Sequence, residues 1–378
     1  MTISIPLGLS TGETTPTCTV TIITSVNYKY NIWREREYRN KIGCLRLRAQ
    51  LTHVLECPIY PTGEVDNLEF QPWTWGGEDV DSFSPVFEQE AFPILQDLEV
   101  TARLENVTRF VTVDFAPINL IFLYIHTYFK HQPEQLHALL ITLSEQCRLL
   151  SQLNVELLHG PGQFKLIPAK QITFYTIRPV VSFLNLIVFE VKHKYPVNIT
   201  LEEIEELASQ WPSLEYLYLN EELLVVHDFT LDLRALVHLA CHSPNLLQLG
   251  LFMDATAAEI LPSHELKPFT VLEVLPAGRS EARDLGAVAA LLSCLCPQEC
   301  ELNLYSSWTS DNGRSCRRLD ANVQLEIKNR PTTWECVRDL LPHFILVRRE
   351  KREKSRLLRE EVEGLRTRNR LLMNKSNI

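Results

Sequence analysis

Pro212-Ser213-Leu214-Glu215-Tyr216-Leu217-Tyr218-Leu219 and Pro244-Asn245-Leu246-Leu247-Gln248-Leu249-Gly250-Leu251 carry one phrase twice: a proline followed at +2, +5 and +7 by leucine. The spacing has a simple physical meaning. In L-x-x-L-x-L the last two apolar positions lie two apart, so on a short strand they point to the same face, while the first fills the turn before it. A proline at the head suits a point where the chain enters from a helix and no ladder donor is needed.

The phrase recurs along most of the chain. Pro93 repeats it with Leu95, Leu98 and Val100, and Pro297 keeps its last two positions as Leu302 and Leu304. Without the proline it returns as Leu120, Leu123, Ile125; as Leu150, Leu153, Val155; as Leu186, Phe189, Val191; and as Leu272, Leu275, Ala277. Two weaker copies, Ile42, Leu45, Leu47 and Val65, Leu68, Phe70, come before these. With Glu299 as the first position of the last copy, the nine steps run from 23 to 36 residues with a mean near 28.6. That is the upper end of the leucine-rich-repeat range, and the scatter marks irregular repeats with insertions of variable length.

The stretches between these strands read in part as helices. Leu136, Leu139, Leu140 and Leu143 fall at i, i+3, i+4 and i+7, as do Leu233, Leu236, Val237, Ala240 and Leu285, Val288, Ala289, Leu292, each giving one apolar stripe. Thr200 and Glu203 have capping-box spacing ahead of Leu201, Ile204, Leu207 and Ala208. Strand-then-helix units of this kind cannot bury their apolar faces alone and must stack. The expected fold is therefore α/β: an irregular leucine-rich-repeat solenoid over 41–347, horseshoe-like, with short parallel strands alternating with helices. An irregular segment, 1–40, precedes it and a charged helical tail, 348–378, follows.

Composition agrees with an array. The 378 residues are 45% hydrophobic and 22% charged, with 59 leucines against 13 glycines, enough for a sizeable core. Charge is uneven: residues 348 to 370 hold ten Arg or Lys and five Asp or Glu, and Lys375 follows, so the tail carries +6 and the rest −16 of the net −10. An acidic body is a poor partner for nucleic acid or anionic lipid, both of which need cationic side chains to displace counterions. Met1 to Ser10 lacks a positive n-region and a long apolar core, and Pro179 to Val191, the most apolar stretch, is interrupted by Ser182 and Asn185, so neither a secretory signal nor a membrane span is read. An intracellular protein of cytoplasm or nucleus is expected, with its ten cysteines reduced rather than paired.

At the C-terminal end, Thr332 and Glu335 have capping-box spacing and are read as opening a last helix with Trp334, Val337, Leu341 and Phe344 as its apolar face. Beyond it, Leu358, Val362, Leu365, Asn369 and Leu372 alternate in steps of four and three, the d, a, d, a, d register of a short coiled coil with Asn at an a position. Arg348 to Arg356 just ahead gives a superficial likeness to a basic-region zipper, but the Asn and Ala residues expected of a DNA-reading helix are missing. Self-association through this tail is the stronger reading.

Sites for chemistry are scarce. His238 and His242 stand at i and i+4, a spacing that holds zinc on a helix, but Leu239 occupies the place of a zinc protease's glutamate. Cys294, Cys296, Cys300 and Cys316 lack paired C-x-x-C spacing and are read as core thiols. Glu202, Glu203, Glu205 and Glu206 form the wet side of a helix that turns Leu201, Ile204 and Leu207 inward. No phosphate loop, nucleophile elbow, dinucleotide fingerprint or kinase signature occurs. Neither a catalytic residue nor a cofactor or metal site is assigned, and an enzyme is not expected. The candidate partner-binding residues are instead Trp73, Trp75 and Trp308, which follow the Leu68-Glu69-Phe70 and Leu302-Asn303-Leu304 strands, where solenoid insertions present aromatic anchors; the alternative is that each Trp caps the core locally.

Several ordered phrases add a family likeness. Phe174-Tyr175-Thr176-Ile177-Arg178-Pro179, Phe183-Leu184-Asn185-Leu186, Leu207-Ala208-Ser209-Gln210-Trp211-Pro212-Ser213-Leu214 and Leu236-Val237-His238-Leu239-Ala240-Cys241-His242-Ser243-Pro244-Asn245-Leu246 resemble the C-terminal repeats of the F-box and leucine-rich-repeat protein family of mushroom-forming (basidiomycete) fungi. The likeness runs from about Pro93 to Val347. It implies a receptor whose F-box docks on the Skp-type adaptor of a cullin-RING (SCF) ubiquitin ligase while the repeats choose a protein substrate. Met1 to Asn40 holds nothing like the Leu-Pro-x-Glu-Ile-Leu opening of an F-box, so adaptor docking is expected only if an F-box is supplied upstream. The alternative is a regulator that dimerises through Arg348 to Leu372 and touches nucleic acid there.

Overall fold

The aliphatic offsets turn into a continuous parallel ladder. The computed structural model describes residues 2–6, 17–22, 44–48 and 67–70 and, from 96 to 376, all but 113–117, 128–131, 158–170, 194, 221–229, 257–265, 278–279 and 305–320. In chain order the strands are β1 (Thr2–Pro6), β2 (Thr17–Ile22), β3 (Cys44–Arg48), β4 (Asn67–Phe70), β5 (Asp97–Thr101), β6 (Phe122–Thr127), β7 (Gln152–Leu157), β8 (Val188–His193), β9 (Tyr216–Leu219), β10 (Gln248–Leu251), β11 (Asp254–Ala255), β12 (Val274–Pro276), β13 (Glu281–Ala282) and β14 (Glu301–Asn303). Eight of them, β5 to β10, β12 and β14, stand side by side and parallel in sequence order, in an open sheet. Ahead of β5, β4 and β3 continue the parallel run, and β2 and β1 add an antiparallel pair at the edge.

The register is the repeat itself. Leu98, Leu123, Leu153, Phe189, Leu217 and Leu249 stand directly opposite one another from strand to strand, and Leu275 opposes Leu302. All are at most 3% exposed. Two residues on, Val100, Ile125, Val155, Val191, Leu219 and Leu251 make a second buried row, and Leu120, Leu150, Leu186, Leu214, Leu246 and Leu272 plug the turns before their strands. A buried side chain of this kind contributes roughly 1.5–3 kcal/mol, and only parallel, in-register stacking lets each rib lie on the next.

The turns share a second device, carried by the backbone and therefore invisible to a search for side-chain patterns. The carbonyl of Gln96 accepts from both Ile121 and Phe122, that of Ile121 from Ser151 and Gln152, and that of Ser151 from Ile187 and Val188. Ile187, Glu215 and Leu247 do the same for the next strand in turn. Side chains reinforce the stack where the prolines stand: Asn245 Nδ2 donates to the Pro212 carbonyl at 2.9 Å and Thr270 Oγ1 to that of Pro244.

The return segments are α1 (Leu104–Thr112), α2 (Pro133–Gln146), α3 (Phe174–Ile177) with a 3-10 turn at Arg178–Ser182, α4 (Leu201–Gln210), α5 (Arg234–His242), α6 (Leu285–Leu295) and α7 (Ala321–Ser376). Their apolar stripes join the strand ribs in one core: Leu136, Leu139, Leu140 and Leu143 of α2 are buried, as are Leu236 and Ala240 of α5 and Val288, Ala289 and Leu292 of α6. α1 packs on α2, α4 on α5 and α6 on α7. The expected cap of α4 forms, Thr200 Oγ1 accepting from Glu203 N at 3.3 Å while the Glu203 carboxylate accepts from Thr200 N at 2.7 Å. Strand-helix alternation is not uniform. Four residues of α3 and a 3-10 turn serve between β7 and β8, and between β10 and β12 no helix occurs among the described residues.

One helix boundary differs from the sequence reading. Thr332 does not open the last helix, which already runs from Ala321 and contains Pro331 and Pro342; Thr333 Oγ1 donates back to the Asn329 carbonyl at 3.3 Å. A capping box is a local pattern of residue types, and Thr332 with Glu335 meets it in mid-helix. The apolar face is as expected, with Trp334, Val337 and Leu341 buried and Phe344 packed against the core.

Candidate interaction surface

Because the two apolar offsets of each strand face the helices, the alternate offsets line the opposite face of the sheet. One row there contains Phe122, Gln152, Val188, Tyr216 and Gln248, and the next contains Tyr124, Asn154, Glu190, Tyr218 and Gly250. Aromatic, acidic and amide side chains thus stand on adjacent strands, most of them half-buried. Neighbouring strands lie about 4.8 Å apart, which makes the face one continuous surface.

Its most structured part is a charge cluster on three strands. His126, Glu156 and Lys192 are direct partners in register on β6, β7 and β8. Lys192 Nζ lies 3.2 Å from Glu156 and 2.7 Å from Glu190, and His126 Nε2 lies 3.9 Å from Glu156. Burial alone would raise the Glu156 carboxyl, but the charges of Lys192 and His126 and hydrogen bonds from Tyr124 and Lys192 hold it below the ordinary carboxylate value. Burial pushes His126 down, aided by Lys192, and the opposing pull of Glu156 does not make up the difference. An imidazole below its ordinary value is neutral at pH 7, so Lys192 is the counter-ion that matters there.

At the end of β9 the chain turns through Asn220, whose φ of 55° is in the left-handed region, which asparagine tolerates better than other residues with a side chain. Buried Asn220 ties the turn together: its Oδ1 accepts from His193 N at 2.8 Å, its Nδ2 donates to the Tyr195 carbonyl, and its own N–H donates to Val191 at 2.9 Å. Ser280 acts similarly near the last strands, Oγ accepting from Met253 N at 3.0 Å and donating to the Leu251 carbonyl at 3.2 Å. Trp334 Nε1 then donates to the Ser280 carbonyl at 2.9 Å, and Arg330 lies 3.4 Å from Glu281. Ser280, Glu281, Arg330 and Trp334 thus latch α7 to the chain at β13, which pairs with β11 in a separate two-stranded sheet.

The helix layer offers charges that are already engaged. His238 Nδ1 and His242 Nε2 each lie 3.4 Å from an oxygen of Glu205, Glu206 is 3.1 Å from Arg178, and Glu203 serves the cap. No group of three or more His, Cys, Asp or Glu among the described residues is arranged to hold a metal ion. Cys294, Cys296 and Cys300 are buried beside α7. A hydrogen bond with Cys300, burial and neighbouring thiols push the Cys296 thiol up, and burial does the same for Cys294 although Arg348 donates to its sulfur. Raised thiols are poor nucleophiles and poor metal ligands.

No protein-family model and no curated protein matches the chain. Trp73, Trp75 and Trp308, the aromatic anchors chosen from sequence, lie outside the described residues, as does Cys316. Leu358, Val362, Leu365, Asn369 and Leu372 all lie on α7 and are all exposed. No helix among the described residues is long and apolar enough to cross a membrane. Tyr124, Glu156, Lys192 and Tyr216 of this face escaped the sequence reading, although Tyr124 and Tyr216 stand at x positions of the aliphatic phrase and Glu156 and Lys192 directly follow its last apolar position.

Proposed function

We propose that the chain is an irregular leucine-rich-repeat solenoid and a non-enzymatic scaffold for protein-protein interaction, akin to the substrate-recognition part of an F-box receptor. One observation carries this reading: eight parallel strands keep the same two offsets for the core, leaving the intervening side chains of every strand on one uninterrupted face. Such a face is rigid before binding, so little ordering entropy is lost on association, and its tyrosines are the residue type that dominates interface energies. Mechanistically, presentation is the whole activity. Ligase membership adds a requirement that none of these residues meets, since adaptor docking would come from an F-box.

The test is affinity capture from source cells with the full chain and with a Glu156→Lys, Glu190→Lys variant. A partner retained by the wild-type chain and lost by the variant, with circular dichroism unchanged, supports recognition by the sheet face. Equal retention overturns it. If adaptor and cullin subunits are absent from the wild-type capture, the ligase part falls and the scaffold part stands. A second reading, a regulator that dimerises through its tail, is favoured by the exposure of every described side chain from Arg349 to Arg370.

A further inference from the structure

α7 has two halves of different character. Up to Arg348 it lies on α6 and β13, burying Trp334, Val337 and Leu341. From Arg349 to Arg370 it carries no buried or half-buried residue, a rod of about 33 Å at 1.5 Å per residue. A lone charged helix is held by ion pairs one turn apart, and this one has them: Arg356 is 2.7 Å from Glu353 and 2.8 Å from Glu360, and Arg366 is 3.5 Å from Glu363. Those pairs do not account for the apolar stripe. Leu358, Val362, Leu365 and Leu372 are 46–66% exposed at the 4-3-4-3 spacing of a seam.

We propose that Leu358 to Leu372 pairs with the same stretch of a second copy as a parallel, in-register two-stranded coiled coil. With Leu358, Leu365 and Leu372 at d and Val362 and Asn369 at a, the Asn369 side chains meet across the seam, a pairing that specifies two parallel strands. Arg356, Glu353 and Glu360 fall at b and f, so their ion pairs lie on the face away from the seam and survive dimerisation, while Arg366, at e, is shared between Glu363 of its own helix and the seam. Glu361, at g, has only Leu357, Leu358, Gly364 and Leu365 three or four residues away and therefore no cation within its own turns. In the parallel dimer it meets Arg366 at e of the second copy, twice by symmetry. The antiparallel arrangement with the same layers sets Arg359 against Arg366 and Asn369 against Leu358, which disfavours it. Lys354 and Arg359 at the preceding g and e positions repel in the parallel dimer, which makes Leu358 its first layer.

Sedimentation equilibrium of the full chain over a concentration series tests this. The expected mass rises with concentration toward two chains, and Leu358→Lys with Leu365→Lys, both on the solvent side of the fold, returns it to one. Glu361→Arg alone and Arg366→Glu alone each weaken the dimer roughly tenfold, the loss of two cross-seam pairs and their replacement by repulsion, while the two together restore it. A wild-type chain that is monomeric throughout overturns the proposal, as does a double-lysine variant as dimeric as the wild type. Tighter association of Arg366→Glu alone overturns the parallel orientation, because relief of Arg359 against Arg366 is an antiparallel effect.

Discussion

Leu217→Ala is the sharpest test of the stacked core. Leu217 is fully buried, with Phe189 on one side and Leu249 on the other in register. Truncation removes three carbons from the core, worth about 2.4 kcal/mol at roughly 0.8 kcal/mol each. The two neighbouring strands hold their spacing through the ladder, so the gap closes only partly and the cavity adds to the loss, for a total of about 3–4 kcal/mol. Leu153 and Leu249 occupy the same offset with the same zero exposure, so Leu153→Ala and Leu249→Ala are expected within about 1 kcal/mol of Leu217→Ala. Urea unfolding followed by far-UV circular dichroism reads all three, with the slope m serving as the check that the transition remains cooperative. A loss below about 1 kcal/mol at Leu217 would refute the reasoning, because no fully packed leucine is so cheap to truncate. A scatter across the three of more than about 3 kcal/mol would show that equal offsets do not mean equal surroundings.

Other expectations follow from the polar groups. Trp334→Phe leaves the Ser280 carbonyl without its indole donor and is expected to cost about 1–2 kcal/mol in the same assay, whereas Leu365→Ala on the exposed rod changes folding stability by less than about 0.5 kcal/mol. Acid should weaken the fold in two stages. His126 lies below its ordinary 6.5, so the unfolded chain takes up its proton first and stability falls as pH drops from there; Glu156 lies below its ordinary 4.5, and its contribution, present above that value, is lost as pH falls through the folded one. Unfolding midpoints at pH 7, 5.5 and 4 would show both stages, and His126→Asn should flatten the first. Cys147, whose thiol burial pushes to about 12, and buried Cys296 and Cys300 should resist an aqueous thiol reagent until urea is added, while exposed Cys241 and Cys336 react in the native chain.

What was legible beforehand was whatever the core repeats. Leu98, Leu123, Leu153 and Leu217 could be found because each rests on the next, so a single spacing is imposed on every strand; Leu136, Leu139, Leu140 and Leu143 of α2 and Leu236 and Ala240 of α5 were found at helical spacing, whereas buried Ala235 and Leu239 of α5 were not read and Val237, which was, is half-buried. The helix start at Thr332 was misplaced because a capping signal is local, and the Thr332–Glu335 spacing falls here inside a helix that begins at Ala321. The bifurcated carbonyls of Gln96, Ile121 and Glu215 left no trace at all, since a backbone acceptor places no demand on residue type. Asn220 was also missed: one left-handed residue is a single event, and a search for recurrence passes over it.

The proposed binding face was harder to read for a reason that belongs to the architecture. Inward offsets are constrained by neighbours on both sides and converge on leucine; the offsets between them meet solvent or a partner and are free to differ from strand to strand. In the proposed reading, variation at those positions is where recognition would be written. His126, Glu156 and Lys192 form a coupled cluster across β6, β7 and β8, but the corresponding place one strand further on is taken by Asn220, whose amide is committed to the turn. The charged cluster ends there and the tyrosines of β9 begin. A partner that reads this face meets a paired-charge patch followed by an aromatic one, and a substitution that lengthens the charge row into β9 would be felt in partner choice before it was felt in folding.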